Sequence, residues 1–231
     1  RLTEIFLELQ EKGANNINLV TAGHFLPQVI FSLKKAKDIG LTIPVVYNTG
    51  SYESVDAIKS LEGLVDIYLP DLKYVNVALS EKYSHAKDYF TVASEAIEEM
   101  VRQVGKPEFQ KKGTNSIFSA EEYNEICDED DSEILMKKGV IVRHLLLPGC
   151  VKDAKKVIAY LLNTYGNTIY ISIMNQFTPL SNVEKYPELN RKVTEKEYDA
   201  VVDYAISLGI ENAFIQEGDV AKESFIPQFE S

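Results

Sequence analysis

The chain has 231 residues, 45% of them apolar and 26% charged, and its 24 basic against 35 acidic side chains give a formal net charge of -11. The length suits one α/β barrel-sized domain, and the composition excludes disorder, collagen-like repeats and a disulfide scaffold. The acidic balance argues against nucleic acid as a partner, because a phosphate backbone would be repelled. No apolar run reaches the ~18 residues of a membrane span. Arg1 to Gln10 interleave charge with Leu, Ile and Phe instead of building a signal-peptide core, so no membrane is expected and the location is read as cytoplasmic.

Leu2, Ile5, Phe6 and Leu9 lie on one helical face, and the absence of an initiating Met before them makes the chain read as a fragment. Ile17 to Val20 follows as a short strand. A helix with Leu26, Val29, Ile30 and Leu33 on one face comes next, then the strand Ile43 to Tyr47. A short helix around Ser51 to Leu61 leads to the strand Val65 to Leu69, and helix returns from about Tyr89 to Val104. Residues of about 105–138 break this rhythm. They supply no strand, only a helix start capped by Ser119 and Glu122 and the run Asp128 to Glu133, which reads as a solvated acidic loop and not a cation site. Gly139 to Leu147 is the strongest strand, followed by a helix carrying Ala154, Val157, Ile158 and Leu161. Thr168 to Met174 is another strand, Thr194 to Glu197 a capping box that opens the last helix, and Asn212 to Gln216 a final strand.

Six apolar strands alternating with amphipathic helices predict a parallel sheet covered by helices. Polar residues recur at the strand ends: Thr21 and His24, Asn48 and Thr49, Asp71 and Lys73, Arg143 and His144, Asn175 and Gln176, Gln216 and Glu217. That recurrence favours a barrel, whose active site gathers where strand C-termini converge. One domain over 1–231, with an insertion at about 105–138, is the expected organisation. No glycine-rich dinucleotide or P-loop pattern is present.

Asp71 and Lys73 at one strand end suit a zwitterionic ligand, a Schiff base on the lysine, or an internal ion pair. His24 and His144 are open to acid/base or structural roles. Arg143, within an apolar strand, needs an anion or carbonyl partner. Asn175 and Gln176 orient a polar ligand or cap a strand. Cys127 and Cys150 are too isolated for a metal signature and read as unconnected thiols.

The runs Val65-Asp66-Ile67-Tyr68-Leu69-Pro70-Asp71-Leu72-Lys73-Tyr74, Val142-Arg143-His144-Leu145-Leu146-Leu147-Pro148-Gly149 and Ile173-Met174-Asn175-Gln176-Phe177-Thr178-Pro179 together resemble the radical SAM proteins related to pyruvate formate-lyase activating enzyme. The resemblance covers nearly the whole chain except the insertion. It implies an α/β fold, a partial (β/α)6 TIM-like barrel of the radical SAM type whose first strand is missing here. It also implies S-adenosylmethionine held against a 4Fe-4S cluster, reductive cleavage to a radical that abstracts hydrogen, a glycyl radical enzyme as protein partner, and flavodoxin or ferredoxin as electron donor.

Residue by residue, the resemblance places Asp71, Lys73, Asn48, Thr49, Arg143, Gln176 and His24 at the S-adenosylmethionine site, with no catalytic or metal-ligating residue. Thr21-Ala22-Gly23-His24 stands where the family has Gly-Gly-Glu, and the Cys-x-x-x-Cys-x-x-Cys motif would lie before Arg1. The fragment is therefore expected to bind no cluster, to be inactive, and to self-associate through its open strand edge. The alternatives are a Schiff-base barrel lyase using Lys73 and a non-catalytic barrel that binds a ligand or partner protein.

Overall fold

The computed structural model describes residues 1–126, 134–179, 183 and 185–215. In chain order the elements are α1 (Leu2–Glu11), β1 (Ile17–Val20), α2 (Leu26–Asp38), β2 (Val45–Thr49), α3 (Val55–Lys59), β3 (Ile67–Pro70), α4 (Val77–Ser84) and α5 (Tyr89–Val104). They continue with β4 (Glu108–Lys111), β5 (Ile117–Ser119), α6 (Ala120–Ile126), β6 (Ile134–Leu145), α7 (Val151–Tyr165), β7 (Tyr170–Met174), α8 (Glu195–Ser207) and β8 (Ala213–Ile215).

Six of the strands form a parallel run in the order β1-β2-β3-β6-β7-β8, so each strand lies beside the next parallel strand of the chain. The result is a mixed α/β fold built on an open sheet. Since every crossover steps in the same direction, right-handed connections put the helices on one face. On that face Val45, Tyr47, Tyr68, Val140, Val142, Ile171 and Ile173 join α2, α5, α7 and α8 in the main core. Alternation then sends Asn48, Ile141 and Arg143 to the opposite face. No helix among the described residues is long and apolar enough to cross a membrane.

The segment at 105–138 differs from its sequence reading. It contains two strands, β4 and β5, in an antiparallel pair, and β4 also pairs antiparallel with the first half of β6. β4 and β5 are only four and three residues long, and β4 sets Glu108, Gln110 and Lys111 around the single apolar Phe109, so local patterning left them unmarked. The helix start was legible: Ser119 N–H donates to the Glu122 carboxylate at 2.7 Å, and Glu122 N–H donates to the Ser119 hydroxyl at 3.2 Å. Cys127 and the acidic run from Asp128 lie outside the described residues, as do Gln216 and Glu217.

β6 begins at Ile134, well before the expected Gly139. Gly139 marks its change of partners, from Lys138 opposite Glu108 to Gly139 opposite Ile67. With φ at 138° and Pro107 Cα 3.0 Å from where a Cβ would sit, only glycine fits that point. Phe109, Ala120 and Tyr170 form a second core with Phe118, Tyr123, Ile134, Met136 and Ile141 around them. Phe109 stacks on Tyr123 with ring centroids 4.0 Å apart, and Tyr170 stacks on Phe214 at 5.1 Å. The insertion thus covers the sheet near the strand N-termini and leaves the opposite ends to polar groups.

Candidate functional site

At the C-terminal ends of β2, β3 and β6, three strands contribute one connected polar row. The Arg143 guanidinium donates from Nη2 to Asn48 Oδ1 at 2.7 Å and from Nε to Asp71 Oδ1 at 2.8 Å. Asp71 Oδ2 lies 3.8 Å from Lys73 Nζ. The Arg143 and Asp71 side chains are 24% and 20% exposed and Lys73 is 44% exposed, so the row is desolvated on one side and open on the other. Two cations against one carboxylate leave it with one positive charge in excess, a place suited to an anionic group of a ligand. The partner that Arg143 requires is therefore Asp71 together with Asn48.

The backbone after β3 is held residue by residue. Asp71 N–H donates to Thr49 C=O and Leu72 N–H to Arg143 C=O, each at 2.9 Å. Lys73 N–H donates to the Tyr89 hydroxyl at 3.0 Å, and that hydroxyl lies 2.8 Å from Asp71 C=O and 3.2 Å from Gly50 C=O. The buried Asp153 carboxylate accepts Val75 N–H at 3.3 Å and Asn76 N–H at 2.9 Å. Burial pushes the Asp153 carboxyl up, against the pull of those two N–H groups. An extended segment with this many fixed donors presents Asp71 and Lys73 in one geometry.

His144 is structural in this arrangement. It is 3% exposed, and its Nδ1 lies 2.8 Å from Leu72 C=O, an acceptor, so Nδ1 carries the proton. Nε2 is buried with no hydrogen-bond partner among the described residues. Burial holds the imidazole below its ordinary pKa and keeps it neutral, although Leu72 C=O, Asp153 and Asp71 act in the other direction. His144 therefore ties β6 to the segment that carries Lys73.

Thr49 is buried at the end of β2 and its hydroxyl donates to the Glu53 carboxylate. His24 sits in the 3-10 turn after β1 and lines the same cavity as Thr49 and Glu53, apart from the Arg143 row. Gln176 is an exposed residue just past β7. The described contacts thus join Asn48, Asp71, Lys73 and Arg143, place His24 and Thr49 on an adjoining cavity, and among the described residues bring Gln176 into contact with neither.

Tyr89, Asp153 and Glu53 were missed from sequence. Tyr89 and Asp153 read as ordinary positions at the starts of α5 and α7, and nothing local to them signals a partner 16 or more residues away. Cys150 is the N-cap of α7, half-buried, its thiol pushed up to about 11 first by burial and then by Asp153. Among the described residues no three His, Cys, Asp or Glu side chains are grouped to hold a metal ion.

No family model matches the chain. It is 25% identical over 193 residues to an uncharacterized protein of Methanocaldococcus jannaschii, covering 83% of this chain and 46% of that protein. The chain thus spans less than half the length of that curated relative. Among solved structures it is similar to a domain of pyruvate-formate lyase-activating enzyme from Bacteroides vulgatus, with a TM-score of 0.52, 12% identity and coverage of 87% of this chain and 98% of that one. At that identity the likeness is one of fold: a mixed α/β domain on an open sheet, as in the activating-enzyme domain.

Proposed function

We propose that this chain is the S-adenosylmethionine-binding sheet of a radical SAM protein of the activating-enzyme type. The observation that carries the reading is the row Asn48–Arg143–Asp71–Lys73 across the ends of three adjacent parallel strands. The fold likeness to an activating-enzyme domain supports it. In this reading the excess positive charge of the row faces the ligand's carboxylate. Thr49 and His24 lie on the neighbouring wall, and Gln176 closes the rim.

The described residues do not fit an iron–sulfur cluster. Such a cluster needs three thiolates from one loop, and Cys150 is a single half-buried thiol at a helix cap. The thiolates would have to come from outside this sequence, in a longer parent protein. The radical acceptor, taken as a glycyl radical enzyme, and the flavodoxin or ferredoxin donor would serve that parent. The chain by itself would bind the nucleoside and be inert.

Calorimetry with S-adenosylmethionine tests the reading. Lys73→Ala is expected to weaken binding by about 1–3 kcal/mol through loss of one charge-assisted contact. Unchanged affinity removes Lys73 from the site. Borohydride trapping of a carbonyl substrate on Lys73 would favour a Schiff-base lyase instead, although Lys73 is half-exposed and not in the apolar setting such a lysine uses.

A further inference from the structure

A cavity of about 320 Å³ lies between the ends of β1 and β2, and Thr21, Gly23, His24, Thr49, Tyr52 and Glu53 are among its walls. Glu53 is the one carboxylate of that lining among the described residues. The Tyr47 hydroxyl donates to its Oε2 at 2.7 Å and the Thr49 hydroxyl donates to its Oε1. Each oxygen keeps acceptor capacity after those bonds. No lysine, arginine or histidine forms an ion pair with Glu53 among the described residues. A fixed carboxylate with no cation of its own, at the wall of a cavity, complements a cationic hydrogen-bond donor.

Two further observations converge on the same place. A Cβ added at Gly23 would lie 3.2 Å from Glu53 Oε2 and 3.6 Å from the Tyr47 hydroxyl, so this turn passes over the carboxylate where a side chain would crowd it. Thr21 and Ser51, on the two flanking turns, hold positive φ of 53° and 65°. Ser51 is fully buried and its hydroxyl has no hydrogen-bond partner among the described residues. Backbone strain of this kind persists where the surrounding structure over-determines it, and it clusters at ligand sites.

We infer that the Glu53 carboxylate receives a primary ammonium group of the bound ligand. The inference rests on the S-adenosylmethionine reading, in which that group is the α-ammonium of the amino-acid end. The accompanying carboxylate then faces Arg143 and Lys73. Lys73 Nζ lies 3.7 Å from a Cβ built on Gly50, which also lines the cavity. Thr21-Ala22-Gly23-His24, which stands where the resembling family has Gly-Gly-Glu, holds no carboxylate; folding supplies one from the next strand-to-helix turn.

Equilibrium dialysis with S-adenosylhomocysteine and with 5′-methylthioadenosine, which lacks the amino-acid end, tests it. The unmodified chain is expected to bind the first more tightly. Glu53→Gln should weaken S-adenosylhomocysteine about tenfold and leave methylthioadenosine unchanged, and Glu53→Asp should recover part of the loss. Equal binding of the two nucleosides by the unmodified chain, or no loss in Glu53→Gln, overturns the inference while nucleoside binding stands. Equal loss of both ligands in Glu53→Gln, unrepaired by Glu53→Asp, makes Glu53 a structural residue and also overturns it. Failure of the unmodified chain to bind either nucleoside overturns the inference and the S-adenosylmethionine reading together.

Discussion

The two halves of β6 share one strand and meet opposite environments. From Ile134 to Lys138 the strand pairs antiparallel with β4 and lies beside the Phe109, Tyr123 and Tyr170 rings. From Gly139 to Leu145 it pairs parallel with β3 and β7, and there it carries Arg143 and His144. The first half packs partly buried side chains, Ile134 and Met136, on the small aromatic core, by contacts that are non-directional. The second buries Val140 and Val142 fully in the main core and adds named donors and acceptors at Arg143 and His144, each of which fixes a neighbour. One end of the sheet is therefore packed by a satellite aromatic core and the other carries the directed polar contacts.

The largest expected effect breaks the first half. Phe109 is 3% exposed, and Phe109→Ala should cost about 3–5 kcal/mol in urea unfolding through lost transfer energy and the cavity left behind. If the division between the halves is real, the surviving folded chain keeps its S-adenosylhomocysteine affinity. A large drop in affinity would mean the aromatic core also shapes the site.

A smaller stability effect with a binding effect is expected at Arg143. Arg143→Met leaves the Asp71 carboxylate and the Asn48 amide oxygen partly buried without their donor, which should cost about 2 kcal/mol. A double-mutant cycle with Asp71→Asn should show coupling of about 0.5–3 kcal/mol. Additive losses would mean the row is a set of independent contacts and would remove the basis for calling it one site.

The smallest effect is a pH dependence confined to the second half. His144 has a folded pKa below its ordinary 6.5, so as pH falls below 6.5 the unfolded chain takes up a proton that the native chain resists. Its contribution is present above that pH and is lost on acidification, at up to about 1.4 kcal/mol per pH unit. His144→Phe should flatten this slope just below pH 6.5. The variant is also expected to start less stable, because Leu72 C=O loses its donor. Identical slopes with and without His144 would show that the imidazole is hydrated in the native chain.

Sequence by itself determined what neighbours in the chain decide. The alternation of strand and helix follows from local apolar periodicity. The Thr194–Glu197 box that opens α8 and the Ser119–Glu122 pair that opens α6 join residues three apart, and both were legible. Resemblance pointed to Asp71, Lys73 and Arg143 but not to what holds them. Tertiary structure alone decided that Arg143 meets residues 72 and 95 positions away, that Asp153 reaches Asn76 across 77, and that Tyr89 seats Lys73. It also decided that β4, four residues long and charged, pairs with β6, and that the three-residue β5 pairs with β4. The physical reason is the same in each case. A cap or a helix face is fixed by hydrogen bonds and side-chain spacing within a few residues. The partner of a strand-end side chain is fixed by which strands lie side by side, and strand order is a property of the whole packed sheet.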